Sequence, residues 1–183
     1  MMSKKWISIL LFVIMLITMG AVACADDELD ISADTAKVEE LGIPTASSVT
    51  DLKTKADSFW DQGDYTNAAL AYAEYAKQAN WLANLISSGC DPFYGSSSND
   101  TTKLYQQDSD LFFRIGDVEK SANSYKAARN YALTRQALCY YKLGDYNTAV
   151  PLLTKALGLL EIDQTDDWKA CMNALYDILG VSL

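Results

Sequence analysis

The chain has 183 residues, with 15 lysine and arginine residues, 24 aspartate and glutamate residues and no histidine, which gives a net charge of −9. An acidic chain repels the phosphates of nucleic acids and of anionic lipids, so this composition excludes nucleic-acid binding and a basic membrane-binding surface. The absence of histidine removes the commonest general base and the commonest metal ligand.

The N-terminus has the order of residues that is typical of an export signal. Lys4 and Lys5 precede an uncharged, mostly apolar run over residues 7–23, which ends in small side chains. A helix needs roughly 17–25 apolar residues to cross a bilayer, and this run has the lower number. Cleavage of the segment and its retention as an anchor are therefore both physically possible.

The end of this run also carries a processing sequence. The string Ala21-Val22-Ala23-Cys24 resembles a lipobox, in which the cysteine is lipidated and becomes the new N-terminus, although the usual leucine is missing at its first position. Ala23 and Ala25 also form the small-x-small pattern that a signal peptidase accepts. We expect an exported, extracytoplasmic protein at the cell envelope, anchored in the membrane by residues 1–24 or by a lipid on Cys24.

Residues 25–49 are acidic and contain few large apolar side chains, and Gly42 and Pro44 interrupt any helix in this segment. Such a segment buries too little apolar surface to fold by itself. We therefore predict a flexible, solvated spacer at 25–49, which allows a short helix over residues 36–41, and a folded domain over residues 50–183.

Residues 50–183 are predicted to be all-α. Apolar side chains recur there at steps of three and four, as in Leu52, Ala56, Phe59 and Trp60, and this spacing marks one buried helix face. Turn and capping residues divide the domain into roughly seven helices, the last of which begins after Thr165. The predicted breaks lie at Gly63-Asp64, residues 87–99, Gly116-Asp117, Gly144-Asp145 and residues 163–165.

The cysteines of the folded domain lie far apart in sequence. Cys90, Cys139 and Cys171 have none of the short spacings of zinc or redox motifs, and they allow at most one disulfide, whose pairing the sequence does not specify. We expect them to be buried as small apolar side chains. Asn99-Asp100-Thr101 matches the glycosylation sequon, but such triplets are common by chance, and we expect Asn99 to be unmodified.

Three segments of the domain repeat around the Gly-Asp pairs at 63, 116 and 144. The third reads LCYYKLGDYNTAV over residues 138–150 and resembles the tetratricopeptide repeat, a pair of antiparallel helices whose turn is often Gly-Asp-Tyr. The middle segment matches less well, because Val118 and Ser121 replace the tyrosine and the small alanine. The first segment shares Phe59, Gly63, Asp64, Tyr65, Ala68, Ala69 and Tyr72 with this pattern.

The resemblance covers residues 51–160, and the Gly-Asp pairs are irregularly spaced compared with the family repeat of about 34 residues. It implies a short, irregular array of helix pairs, which the helix after Thr165 caps at its C-terminal end. In this family the first helix of each pair lines a concave groove that holds a peptide or a partner helix. The implied groove residues are Asp57, Trp60, Asp61, Asp110, Phe113, Arg114, Leu138, Tyr141 and Lys142.

Within this implied groove, Trp60, Phe113 and Tyr141 are candidates for an apolar floor, unless they pack in the core as most helical aromatics do. Arg114 and Lys142 are candidates to meet an acidic group. The resemblance thus implies a scaffold or adaptor with a protein or peptide partner, whose identity the sequence does not give.

Catalysis has no support in the sequence, because a phosphate-binding loop, a nucleophile elbow and a metal-ligand cluster are all missing. We therefore assign no catalytic residue, no metal and no cofactor. Two alternatives to the adaptor remain open. One is a helical module that encloses a small apolar ligand, and the other is a structural component of the envelope.

Overall fold

The computed structural model describes residues 32–90, 93 and 98–182 of the chain. Regular structure in these ranges is helical, which confirms the all-α prediction, and none of these helices is long and apolar enough to span a bilayer. The predicted signal and Cys24 lie outside the described residues. The helices are α1 (Ser32–Leu41), α2 (Ala46–Asp61), α3 (Tyr65–Ser88), α4 (Ser98–Gln107), α5 (Ser109–Lys142), α6 (Tyr146–Leu157) and α7 (Thr165–Leu179).

The chain divides into two compact units, residues 1–40 and 41–183. Within the first unit, helix α1 extends the short helix predicted at residues 36–41 back to Ser32. The second unit begins earlier than the predicted boundary at residue 50, because Thr45 starts α2. The Thr45 hydroxyl accepts from the Ser48 N–H at 3.0 Å and the Ser48 hydroxyl accepts from the Thr45 N–H at 2.9 Å, which forms a capping box.

Two helix hairpins, α2–α3 and the C-terminal part of α5 with α6, turn through glycine in the same way. Gly63 and Gly144 both have a φ of 74°, in the left-handed region that favours glycine. The N–H of Gly63 donates to the Trp60 carbonyl at 2.9 Å, and that of Gly144 donates to the Tyr141 carbonyl at 3.1 Å. The matching backbone bonds show that the two turns have one geometry.

The aspartates that follow these glycines cap the next helix. The Asp64 carboxylate accepts from the Asn67 N–H, and the Asp145 carboxylate accepts from the Thr148 N–H, both at 3.2 Å. The turns predicted at Gly63-Asp64 and Gly144-Asp145 are therefore confirmed.

The predicted turn at Gly116-Asp117 is wrong, because both residues lie inside the 34-residue helix α5. In the two true hairpins, Ala68 and Ala149 are fully buried against the neighbouring helix. The residue at the corresponding place in the middle segment is Ser121, which is exposed. Without a small buried side chain at this point the second helix has no close packing to hold a reversal, and the backbone continues as helix.

Substituting these glycines tests the difference directly. Gly116→Ala is expected to raise the free energy of unfolding by about 0.5–1 kcal/mol, because Gly116 is helical and a Cβ there meets no atom within 4 Å. Gly144→Ala is expected to lower it by about 1–2 kcal/mol, because alanine is strained at positive φ. Urea unfolding followed by circular dichroism measures both, and a loss of stability in Gly116→Ala contradicts a continuous α5.

The core is built from small side chains around α3, which packs most extensively against α5 and then against α2. Ala56, Ala137 and Ala149 are fully buried and let neighbouring helices approach closely. Tyr72 and Leu153 are the largest apolar side chains that are fully buried. The prediction for the cysteines is confirmed in one respect, since Cys90, Cys139 and Cys171 are buried, and they form no disulfide among the residues described.

Helix α4 begins at Ser98, so the backbone of Asn99 lies in its first turn and not in a loop. Asp108 then caps α5 by accepting from the Leu111 N–H at 2.9 Å. The aromatic rings of Tyr105 and Phe112 pack edge to face with their centres 5.4 Å apart and join the two helices.

The C-terminal helix α7 begins at Thr165, one residue earlier than predicted, with two aspartates in its first turn. It packs on α6 and α5 and ends at Gly180, which has a φ of 67°. The Gly180 N–H donates to the Asp177 carbonyl, and the Val181 N–H donates to the Tyr176 carbonyl at 2.9 Å. This pattern repeats the one at Gly63, so α7 ends in the same way as α2.

A buried amide joins α5 to the α6–α7 connection. The Asn130 amide group donates to the Leu159 carbonyl at 2.7 Å and to the Gln164 side-chain oxygen at 3.2 Å. Its oxygen accepts two bonds from the Arg129 guanidinium, at 3.1 and 2.9 Å. All four hydrogen-bonding positions of this buried side chain are therefore used.

Candidate functional site

Helix α2 is joined to α3 and α5 through the carboxylate of Asp57. One oxygen accepts from the Tyr72 hydroxyl at 2.7 Å and from the Tyr131 hydroxyl at 3.0 Å. The other oxygen is paired with the ammonium group of Lys53, one turn earlier on α2. Asp57 is thus the common partner of groups from three helices.

These contacts set the charge of the network. Burial alone raises the pKa of Asp57, but the hydrogen bonds from Lys53, Tyr72 and Tyr131 outweigh it and leave the pKa below its ordinary value of 3.8. Burial and the bond to Asp57 raise the pKa of Tyr72 above its usual range. At neutral pH the Asp57 carboxylate is therefore ionised and the Tyr72 phenol is protonated. The tyrosine hydroxyls act as donors, and the carboxylate acts as their acceptor.

The guanidinium of Arg135 lies on aromatic faces beside this network. Its central carbon is 4.9 Å from the ring centre of Trp60 and 5.2 Å from that of Tyr131. Its Nε is buried and finds no hydrogen-bond partner within the described part of the chain. Arg135 thus joins α5 to α2 by stacking and presents a half-buried positive charge.

Helices α5 and α7 are joined along the same side of the domain. The Tyr141 hydroxyl donates to the Asp177 carboxylate at 2.6 Å, and the sulfur of Cys171 lies 3.7 Å from the Thr134 hydroxyl. Burial raises the pKa of Asp167, and the nearby charge of Arg135 opposes that effect. Helix α2, residues 130–142 of α5 and helix α7 therefore lie side by side, and we name their shared surface the α2–α5–α7 face.

The accessible part of this face includes a depression of about 450 Å³ on α2 that is open to solvent. Each lining residue carries a polar or charged group, and Asp57 forms part of the wall. The other lining residues are Thr54, Ser58, Asp61 and Gln62.

Six of the nine predicted groove residues lie on the α2–α5–α7 face. Asp61 and Lys142 are exposed there. The remaining four are partly buried and make contacts within the fold, as Asp57 does with the tyrosines and Tyr141 does with Asp177. These four are Asp57, Trp60, Leu138 and Tyr141.

The three predicted groove residues of the middle segment, Asp110, Phe113 and Arg114, are exposed and lie elsewhere. Phe113 is 59% exposed and packs against the ring of Tyr105 on α4. Because α5 is continuous, Phe113 and Tyr141 are about 42 Å apart along the helix axis. The predicted apolar floor of Trp60, Phe113 and Tyr141 is therefore not formed, and Arg114 is not placed beside Lys142.

The sequence prediction missed Lys53, Tyr72, Tyr131 and Arg135. If the chain reversed at Gly116, Tyr131 would belong to the outer helix of a pair, away from the groove. In the continuous helix, Tyr131, Arg135 and Lys142 share one stripe with Leu138, at steps of four, three and four residues. This spacing in the sequence indicates that the four side chains share one helix face. The predicted turn at Gly116 instead assigned Tyr131 to a different helix of the pair.

The described residues hold no group of three or more acidic or cysteine side chains placed to bind a metal ion. Burial raises the pKa of the Cys139 thiol to about 12, so it is protonated at neutral pH.

Comparison with protein families, with curated proteins and with solved structures gives no match to this chain. The resemblance of the Gly-Asp repeats to a known family therefore stays a prediction. The function has to be inferred from the geometry of the α2–α5–α7 face and from the sequence of the N-terminal segment.

Proposed function

We propose that this chain is a non-enzymatic adaptor that binds a protein or peptide segment on the α2–α5–α7 face, as a short tetratricopeptide-like array. The observation that carries the proposal is the shared geometry of three helix ends. α2, α5 and α7 each stop at a glycine with a φ of 67–74°, and side-chain contacts join α2 to α5 and α5 to α7. Aligned first helices of this kind form a continuous surface for a partner.

The charges on this face favour a partner with mixed charge. Asp61 on α2 and Asp167 on α7 flank the positive charges of Arg135 and Lys142 on α5. An acidic group of the partner fits over α5, because the guanidinium of Arg135 is already oriented by ring stacking. Basic groups fit over the two flanking helices.

The same proposal includes a location. We propose that the protein is exported and held at the cell envelope, either by the retained apolar run at residues 7–23 or by a lipid on Cys24. Lys4 and Lys5 before that run, and the lipobox-like string at its end, support it. Intact mass of the membrane-fraction protein tests it, since a lipid-sized increase that disappears in Cys24→Ala supports lipidation. An unmodified protein in the soluble fraction contradicts anchoring.

Site-specific photo-crosslinking tests the binding surface. A photoreactive residue at Asp61 or Lys142, both exposed on the α2–α5–α7 face, is expected to capture one dominant protein in the membrane fraction. The matched controls are Lys77 on α3 and Lys155 on α6, which are exposed on other helices. Equal capture from all four positions, or no capture from the first two, contradicts the proposal.

Charge reversal tests the same surface without a crosslinker. Lys142→Glu is expected to weaken partner capture by about tenfold, because it places an acid beside the position proposed for the partner's acidic group. Lys155→Glu is its control, since both lysines are exposed and both lie in the last turn of a helix. Equal effects of the two variants contradict a role for the face.

The alternative of a small apolar ligand has less support. Such a ligand requires an enclosed and mostly apolar cavity. The depression on α2 is open to solvent, so it is not an enclosed cavity of this kind.

A further inference from the structure

The connection between α6 and α7 contains a tight turn that presents one isoleucine to solvent. The N–H of Gln164 donates to the Glu161 carbonyl at 3.0 Å, so Ile162 and Asp163 are the two central residues of a four-residue turn. The Ile162 side chain is 95% exposed. We name residues 161–164 the α6–α7 turn.

Hydrogen bonds attach the base of the α6–α7 turn to α5. The side-chain oxygen of Gln164 accepts from the Glu161 N–H and from the amide group of the buried Asn130, each at 3.2 Å. The amide group of Gln164 donates to the Ala127 carbonyl at 3.5 Å. Asn130 also holds the Leu159 carbonyl, just before the turn. The backbone beneath the exposed isoleucine is therefore fixed.

The fold itself does not use the Ile162 side chain. Because this side chain stays almost fully exposed, it adds almost nothing to the apolar stabilisation of the core. The turn does not require isoleucine either, since Gly, Pro, Asn, Asp and Ser are the residues that favour turns. Among the described residues only glycines have a positive φ, so the central positions accept any of these polar residues. A contact with another molecule explains an isoleucine at this position.

Ile162 is suited to act as a rigid anchor. Branching at its Cβ restricts χ1, and the hydrogen bonds of Gln164 already hold the backbone. Binding therefore immobilises little that is free in the unbound chain, which lowers the entropic cost of association. Complete burial of an isoleucine side chain in an apolar pocket strengthens binding by roughly ten- to a hundredfold.

The charges around the isoleucine indicate what borders such a pocket. Burial lowers the pKa of Arg129 and the charge of Glu161 opposes this effect, so Glu161 is partly compensated within the fold. Asp163 is exposed and forms no ion pair within the part of the chain that the structure describes. Asp166 has only a weak, exposed pair with Lys169 at 3.9 Å. The two aspartates favour basic groups on the partner.

We propose that Ile162 anchors a protein–protein contact by inserting into an apolar pocket that is bordered by lysine or arginine side chains of the partner. The acidic residues beside it disfavour an anionic membrane surface. The depression on α2 of a second copy does not fit, because Asp57 and Asp61 line it and repel Asp163.

This contact is separate from the exposed end of the α2–α5–α7 face. The α6–α7 turn is attached to α5 at Asn130, which lies about 18 Å along the helix axis from Lys142. The proposal therefore does not rest on the function proposed for that face.

Photo-crosslinking followed by peptide mapping identifies what Ile162 contacts. A photoreactive residue in place of Ile162, in the full chain in intact cells, is expected to link to one protein. The mapped linkage is expected to lie in an apolar segment next to lysine or arginine residues. The control is the same residue in place of Leu70 on α3, which is 64% exposed. Equal yields from both positions, a linkage to lipid or to an acidic segment, or no product overturns the proposal.

Isothermal titration calorimetry with the purified crosslinked protein measures the contribution of the isoleucine. Ile162→Ser is expected to raise the dissociation constant at least tenfold and to leave the urea unfolding midpoint unchanged, because the side chain is exposed. Asp163→Lys is expected to raise it about threefold or more, and Leu70→Ser is expected to have no effect. Equal effects of Ile162→Ser and Leu70→Ser overturn the proposal. Weaker binding in Lys142→Glu together with unchanged binding in Ile162→Ser assigns the contact to the α2–α5–α7 face and also overturns it.

Discussion

Asp57→Ala is expected to lower the free energy of unfolding by about 2–3 kcal/mol, because it removes the common acceptor of two tyrosine hydroxyls. Tyr72 is fully buried in the unsubstituted protein, and its hydroxyl loses its 2.7 Å acceptor when the carboxylate is removed. Lys53 also loses its ion-pair partner, although that contribution is small because the lysine is largely exposed. Urea unfolding at pH 7 measures the change.

Asp61→Ala is the matched control, since Asp61 lies one turn later on α2 and is exposed. We expect its effect to stay within about 0.5 kcal/mol. If the two alanine variants lose the same stability, the hydrogen bonds of Asp57 do not hold the three helices together.

The contribution of Asp57 also depends on pH in a defined direction. Its folded-state pKa is below the ordinary value of 3.8, so the unfolded chain takes up the proton first as the pH falls. The stabilisation is therefore present above pH 3.8 and is lost as the pH falls through the folded-state pKa. Asp57→Asn keeps an acceptor for the tyrosines but removes the charge, so its difference from the unsubstituted chain should shrink between pH 7 and pH 3.

Asn130→Ala is expected to lower the free energy of unfolding by about 2–4 kcal/mol, which is the largest loss predicted here for a polar side chain. It leaves the Leu159 carbonyl without its 2.7 Å donor and the Arg129 guanidinium without its 2.9 Å acceptor. Thermal or urea unfolding measures the loss, which follows from buried groups that lose their partners.

Asn123→Ala on the same helix is the control, because Asn123 is exposed and two turns away. We expect it to change stability by less than about 0.5 kcal/mol. Asn130→Asp adds a test of hydrogen-bond direction, since it keeps the shape but turns the donor to Leu159 into an acceptor. Stability close to that of the unsubstituted chain in Asn130→Asp contradicts the bond to Leu159.

The correct predictions came from features that act over a few residues. Steps of three and four predicted helices, and the Gly-Asp pairs predicted the turns at 63–64 and 144–145, because a left-handed glycine and the capping carboxylate after it need no distant partner. The start of α7 was predicted to within one residue from the two aspartates of its first turn.

The backbone at the middle Gly-Asp pair is not determined by its neighbouring residues alone. The same dipeptide at 63, 116 and 144 forms two turns and one stretch of continuous helix. The local sequence permits both backbones, because glycine adopts either conformation at small cost. The two turns have a buried alanine five residues after the glycine, Ala68 or Ala149, which packs against a neighbouring helix. The continuous helix has the exposed Ser121 at this place.

The composition of the candidate site depends on whether the chain turns at Gly116 or continues as helix. Asp57, Trp60, Tyr141 and Lys142 were predicted on the first-helix face because they are set by the hairpin turns next to them. Their partners Tyr131 and Arg135 joined the face only because α5 runs straight through Gly116.

The sequence by itself thus determined an all-α fold, two glycine hairpins and, to within one residue, the start of the last helix, since periodicity, backbone preference and capping are encoded in neighbouring residues. The tertiary structure alone decided the length of α5, the hydrogen bonds of Asp57 and the separation of Phe113 from the α2–α5–α7 face. These depend on contacts between residues far apart in sequence, whose energy is gained only when the helices pack.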